Sequence, residues 1–106
     1  MSTLFKEFFC IAVMVVIFRI TAGNGRRIRL TLRQWNHIAY RHPAVAGKLH
    51  EIEATILRPT YTVLSEGSVV RYYSYLKEEN VYLMVAVRLC NGDGFVITAF
   101  HTRSLS

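Results

Sequence analysis

The sequence predicts an α+β domain: an N-terminal β-hairpin, two consecutive helices, then a four-strand antiparallel meander with the helices on one face of the sheet. Three observations predict it. A Gly-Asn-Gly turn at 23–25 separates an apolar, β-branched run from RRIRLTL. Two segments with helical periodicity follow, closed by Pro43 and by Pro59. Four strand-like segments then alternate with turn sequences to the end of the chain.

The first strand comes from FFCIAVMVVIF, residues 8–18, whose second half carries Val13, Val15, Val16 and Ile17. Branching at Cβ favours an extended, buried strand over a helix. The run is closed by Arg19, short of the ~20 apolar residues that a membrane-spanning helix requires. With Lys6 before it and Ile20-Thr21-Ala22 after it, the same run also fits a secretory leader. The expectation is a strand that stays in the protein. In the second arm Arg27 and Arg29 alternate with Ile28 and Leu30, a period of two that buries one side and exposes the other.

Thr31 reads as a helix N-cap with Gln34 completing a capping box, and the helix runs through Trp35, Ile38 and Ala39 until Pro43 stops it. A second helix is expected from about Ala44, with Val45, Leu49, Ile52 and Ile56 on its apolar side and Lys48, His50, Glu51 and Glu53 on the other. The meander strands are TYTVL, VVRYYSYL, VYLMVAVRL and FVITAFHT, joined by turns at 65–68, 77–80 and 91–94.

At 106 residues the chain is one domain, 1–106, with 14–106 as its core and 1–13 as an N-terminal extension. Thirteen Lys and Arg oppose seven Asp and Glu, and ten of the thirteen are arginines. The guanidinium fork grips phosphate with two hydrogen bonds, so this bias points to nucleic acid or another anionic surface. Cys10 and Cys90 are far apart and in no zinc spacing, which fits two small buried hydrophobes in a reduced, cytoplasmic protein. No metal is expected, because His37 and His42 are five apart and diverge around a helix and no carboxylate stands at a ligand spacing. No cofactor is expected either: the glycines near 23–25 lack phosphate-loop spacing, and no serine elbow is present.

Taken in order, RIRLT, RQWNHIAYRHP, a helix ending in RP, VVRYYSYL, VYLMVAVRL and GFVITAFHT resemble small prokaryotic nuclease-like domains. These form the superfamily named for barnase, EndoU, certain colicins and RelE, and the resemblance is to its phage-associated branch. It covers residues 28–103 and is carried by W-x-H-I-x-x-R-H-P together with G-F-V-I-T-A. Ala44 stands where that pattern commonly has an acidic residue. The resemblance implies a helical pair on an antiparallel sheet, metal-independent RNA cleavage, and a toxin role with a dedicated, small acidic antitoxin. It also implies that Thr98 or Thr102 supplies a hydroxyl near the phosphate.

RNA is cleaved without metal when its 2′-hydroxyl attacks the adjacent phosphorus, given a base, an acid and cations at the phosphoryl oxygens. Arg33, His37 and Arg41 are spaced by four and share a helical stripe. His42 sits at the helix C-terminus, where the dipole favours positive charge. Either histidine can instead be a packing or capping residue, and their clustering with Arg41 favours function. The expected catalytic residues are His37, Arg41, His42, Arg71 and Thr98. The expected substrate-binding residues are Arg33, Tyr72, Tyr73, His101 and Thr102, with tyrosines stacking on unpaired bases. The partner is RNA, without membrane. Two alternatives stand beside the ribonuclease: a non-catalytic RNA-binding or toxin-derived interaction module, and a secreted effector.

Overall fold

The computed structural model describes residues 15–105. The expectations that fall on residues 1–14, including the first half of the apolar run, Cys10 and the 1–13 extension, lie outside the described residues. Within them the chain forms β1 (Val16–Thr21), β2 (Arg27–Thr31), α1 (Leu32–Arg41), a 3₁₀ turn (Pro43–Val45), α2 (Leu49–Leu57), β3 (Tyr61–Ser65), β4 (Val69–Leu76), β5 (Val81–Cys90) and β6 (Asp93–Thr102). The class is α+β.

The sheet differs from the expected four-strand antiparallel meander. It has six strands in the order β1-β2-β6-β5-β4-β3 and is mixed. The hairpin joins it through a parallel pairing of β2 with β6, Ile28 opposite Gly94 and Arg29 opposite Phe95. The geometry follows from the connections. The two helices carry the chain from β2 to the far edge of the sheet, and β3 to β6 return strand by strand in antiparallel pairs. Three reversals bring β6 home in the same direction as β2.

Local chemistry explains the boundaries. The hairpin turn is closed by Ala22 N–H to Arg26 O and Gly25 N–H to Ala22 O, with Gly25 at φ +88°, where a side chain would be strained. Asn91 and Gly92 both have positive φ and form the two-residue connection between Cys90 and Asp93, the turn that matches the twist of the flanking strands. Thr31 caps α1, its hydroxyl accepting from the Gln34 N–H at 3.2 Å. The capping box is only half made, because the Gln34 side chain donates elsewhere, to the Ile97 carbonyl. The second helix starts later than expected. Pro43–Val45 is a 3₁₀ turn and α2 begins at Leu49, after Gly47, a residue poor at sustaining a helix. Val45 nonetheless remains fully buried against the same core.

The main core lies between the sheet and both helices. Ile28, Leu30, Val70, Leu83, Val85, Val87, Val96 and Ala99 pack there with Ile38, Val45, Ile52 and Ile56. Burying each such aliphatic side chain contributes roughly 1.5–3 kcal/mol. The opposite face of the sheet carries a smaller cluster of Tyr73, Met84 and Ala86 with Val69, Tyr82, Ile97, Phe100 and Leu105 around it, and no described helix contributes to it. Cys90, expected to be buried, is exposed at the β5–β6 turn, where the strand ends and no described element covers it.

Candidate functional site on the helix-free face

The register of β5 and β6 shifts once, between Ala86 and Val87: Val87 pairs with Val96, but Ala86 pairs with Thr98. Ile97 is the extra residue of a β-bulge. A bulge changes which side of the sheet the following residues face. In a regular strand Phe95 and Thr98 would point to opposite faces; here both belong to the helix-free side. The cross-strand rows make this explicit. Thr98, Ala86, Arg71 and Val63 are successive neighbours across β6, β5, β4 and β3, and Phe100, Met84, Tyr73 and Tyr61 form the next row.

These rows form the floor of an open trough of about 700 Å³. Arg71, Tyr73, Thr98, Phe100 and Thr102 line it, with Glu66 and Ser65 at one end. Beyond it the tyrosines gather: the ring of Tyr82 lies 5.2 Å from that of Tyr75, 6.2 Å from Tyr61 and 6.5 Å from Tyr73, all tilted or edge-on. Tyr75 and Tyr61 remain 44% and 47% exposed, so a ring face is open to a ligand.

Helix α1 borders this face along the edge of β6 that β2 leaves unpaired after Phe95. Gln34 ties it to the bulge at Ile97. At its C-terminal end the His42 ring sits 5.2 Å from the Phe100 ring at an interplanar angle of 44°. At its N-terminal end Arg33 lines a small hollow with Arg29, Thr31, Gln34 and Phe95. His37 and Arg41 follow Arg33 at four-residue steps on the same stripe, and both are exposed. The helix thus presents Arg33, His37 and Arg41 along its outer side, and His42 at its end rests against Phe100, one of the trough's lining residues.

The site residues expected from sequence therefore separate into three groups. Arg71, Tyr73, Thr98 and Thr102 share the trough, and His42 abuts its wall through Phe100. Arg33, His37 and Arg41 occupy the neighbouring helix and do not line the trough. Tyr72 and His101 lie on the other face of the sheet. Tyr72 is 3% exposed within the helix-side core, which corrects its expected place at the substrate surface. Its hydroxyl is buried without a hydrogen-bond partner among the described residues, and burial raises its pKa above the usual 10.0, opposed by the charge of Arg26. The strand alternation that turns Tyr73 toward the trough turns Tyr72 toward the helices; Tyr73 is itself only 2% exposed, packed with Met84 and Ala86, which corrects its expected place as a ring open to substrate. His101, next to Thr102, likewise faces away from the trough, and its Nε2 is buried without a partner among the described residues. On that side Lys48 and Glu79 form an ion pair between the start of α2 and the β4–β5 turn. Each holds the other charged: Lys48 is pushed up and Glu79 down, in both cases mainly by their shared hydrogen bond.

Sequence reading missed Phe95 and the arginines around it. One row crosses four strands as Arg19, Arg29, Phe95 and Arg88, each opposite the next. The alternation in RRIRLTL was the available signal for Arg29; the parallel pairing that sets it beside Phe95 was not readable.

Among the described residues no helix is long and apolar enough to cross a membrane. Comparison with family models, curated proteins and solved structures found no match to this chain.

Proposed function

We propose that the protein is a metal-independent endoribonuclease, toxin-like or regulatory, that holds RNA on the helix-free face and cleaves it by attack of the 2′-hydroxyl. The observation that carries this reading is the convergence of Arg71, Thr98 and Thr102 in one trough, with His42 against its wall. The chemistry needs proton transfer and charge stabilisation, each typically contributing factors of ~10² to 10⁴. His42 and His37 are the imidazoles available to remove and supply protons. The Arg71 guanidinium and the Thr98 hydroxyl would donate to the phosphoryl oxygens as negative charge builds there, while the Thr102 hydroxyl at the trough's end donates to the Ser104 carbonyl. The exposed Tyr61 and Tyr75 offer rings to the unpaired bases. A small acidic antitoxin would find the same arginine-rich face complementary.

Cleavage assays in EDTA test this. The expected product is a 2′,3′-cyclic phosphate or the 3′-phosphate formed from it, and a single 2′-deoxy substitution at the cut site should leave RNA bound but intact. Cleavage that depends on added Mg²⁺ would refute the mechanism. One observation favours a second reading, a non-catalytic RNA-binding module: His37 and Arg41 are exposed on α1, apart from the trough floor. Binding of both RNAs with cleavage of neither would establish it.

A further inference from the structure

Beyond the trough, the hairpin half of the helix-free face carries a concentration of charge that the fold itself does not use. Arg19 and Arg29 stand directly opposite one another across β1 and β2, and both are exposed. Like charges at directly opposed positions of an antiparallel pair destabilise it. Arg27, one position along each face-sharing step from Arg29, is held by Asp93, Nε to Oδ1 at 3.1 Å. Among the described residues no carboxylate pairs with Arg19 or Arg29. The three guanidinium groups and Asp93 line a hollow of about 130 Å³. Immediately beside it Arg29, Arg33 and Phe95 line the second hollow, of about 180 Å³. Phe95 lies in the row between Arg29 and Arg88. An aromatic ring flanked by guanidinium groups on adjacent strands is the arrangement that stacks a base and holds the phosphates on either side of it.

We propose that this hairpin surface is a second subsite for single-stranded RNA, separate from the trough, in which Arg19 and Arg29 hold a phosphate and Phe95 stacks the neighbouring base. It rests on the reading of the helix-free face as an RNA surface and adds its length. From Phe95 to Thr98 is about 10 Å along β6 at ~3.3 Å per residue. A bound strand therefore runs from the tyrosine end of the trough past Thr98 and onto β2 and β1. The β-bulge at Ile97 makes this path continuous, since it is what sets Phe95 and Thr98 on one face. Stacking and phosphate contacts tolerate any base, so the subsite adds affinity and length preference rather than sequence readout. A duplex keeps its bases stacked and cannot offer one to Phe95.

The test uses uncleavable, fully 2′-O-methylated oligouridylates of two and eight nucleotides, with binding read by fluorescence anisotropy. The wild type should bind the octamer far more tightly than the dinucleotide. In the Arg19→Ala, Arg29→Ala double variant that advantage should shrink at least ~10-fold, and the slope of log K against log salt should fall by about 0.7, the value for one phosphate contact on a single strand. Phe95→Leu, which keeps an apolar side chain in the half-buried position, should weaken the octamer by ~5- to 100-fold, the loss of one stacked base. Unchanged octamer binding in the arginine variant, with its melting temperature at the wild-type value, would overturn the subsite. So would equal binding of a duplex of the same length, which would leave only a polyanion patch. Cleavage of unmodified RNA is measured in parallel. Arginine-dependent octamer binding without cleavage would keep the subsite and remove the ribonuclease; cleavage with an unchanged KM for long RNA in the arginine variant would do the reverse.

Discussion

The side-chain amide of Gln34 donates to the backbone carbonyl of Ile97, the one residue of β6 that the bulge leaves without a partner on β5. Helix α1 is thereby fastened to the point where β6 changes face. Replacing Gln34 with Ala leaves that part-buried carbonyl without its donor, at a cost of ~1–3 kcal/mol. It should also loosen the placing of Thr98 and of His42 at opposite ends of the contact. The expected result is a lower melting temperature together with a fall in RNA cleavage larger than the stability loss explains. Gln34→Glu, which keeps the length but cannot donate when ionised, should behave like Gln34→Ala at neutral pH.

His42 tests the site most directly. Its ring is half-buried against Phe100, and among the described residues the imidazole makes no hydrogen bond; only its backbone N–H and carbonyl are engaged, with Ile38 and Val45. His42→Ala should therefore melt within about 1 kcal/mol of wild type, while RNA cleavage falls by ~10² or more. His37→Ala, at a fully exposed position, should not change the melting temperature at all, and its effect on cleavage separates a proton-transfer role from a spectator on the helix surface. Loss of fold in His42→Ala would show the ring to be a packing residue.

Tyr72→Phe removes a hydroxyl that is buried without a partner among the described residues. Because that group cost free energy to bury and gained no bond, the variant should be as stable as wild type or more so. The pH dependence has a definite sign. The pKa of Tyr72 is raised in the folded state, so the neutral form is favoured there. Its contribution is intact below the ordinary tyrosine value and is lost as pH rises through the higher folded value. Thermal melts between neutral and strongly alkaline pH should show a loss above pH 10 that Tyr72→Phe reduces. RNA binding should be unaffected, since the hydroxyl lies on the helix side of the sheet.

Much of this architecture was legible in the chain, and the parts that were not have a common cause. Hairpin, helices and strands follow from local signals: the Gly-Asn-Gly turn, the Thr31 cap, Pro43 and Pro59, and the Asn91-Gly92 turn. The grouping of Thr98, Phe100 and Thr102 on one side, and of Arg71 with Tyr73, follows from strand alternation and is seen in the trough. What failed depends on which strands become neighbours. Alternation says that Tyr72 opposes Tyr73 but not which of them meets the helices. The parallel β2–β6 pairing joins Arg29 to Phe95 across 66 residues of sequence and leaves no mark on either segment. The bulge at Ile97 is silent as well, yet it decides that Phe95 and Thr98 share a face.

Gly94 shows how tight that junction is. It pairs with Ile28 on β2 and Leu89 on β5, and a Cβ added to it would lie 2.7 Å from Val87 Cγ1 and 3.4 Å from Ile28 Cγ1. Neither neighbour has room to give, since Val87 and Ile28 are both completely buried. Gly94→Ala should therefore destabilise the protein by ~1–3 kcal/mol through overpacking, against the small gain that alanine normally brings by restricting the unfolded chain. The strain falls where β2 meets β6, so the hairpin should separate from the sheet first. Amide exchange would show early loss of protection at Ile28 and Leu30, with β4 and β5 protected longer. A compensating Val87→Ala in the same chain should recover most of the melting temperature, because it removes the atom that clashes. Failure of that rescue would mean that the backbone of β6 rather than the Val87 side chain sets the limit.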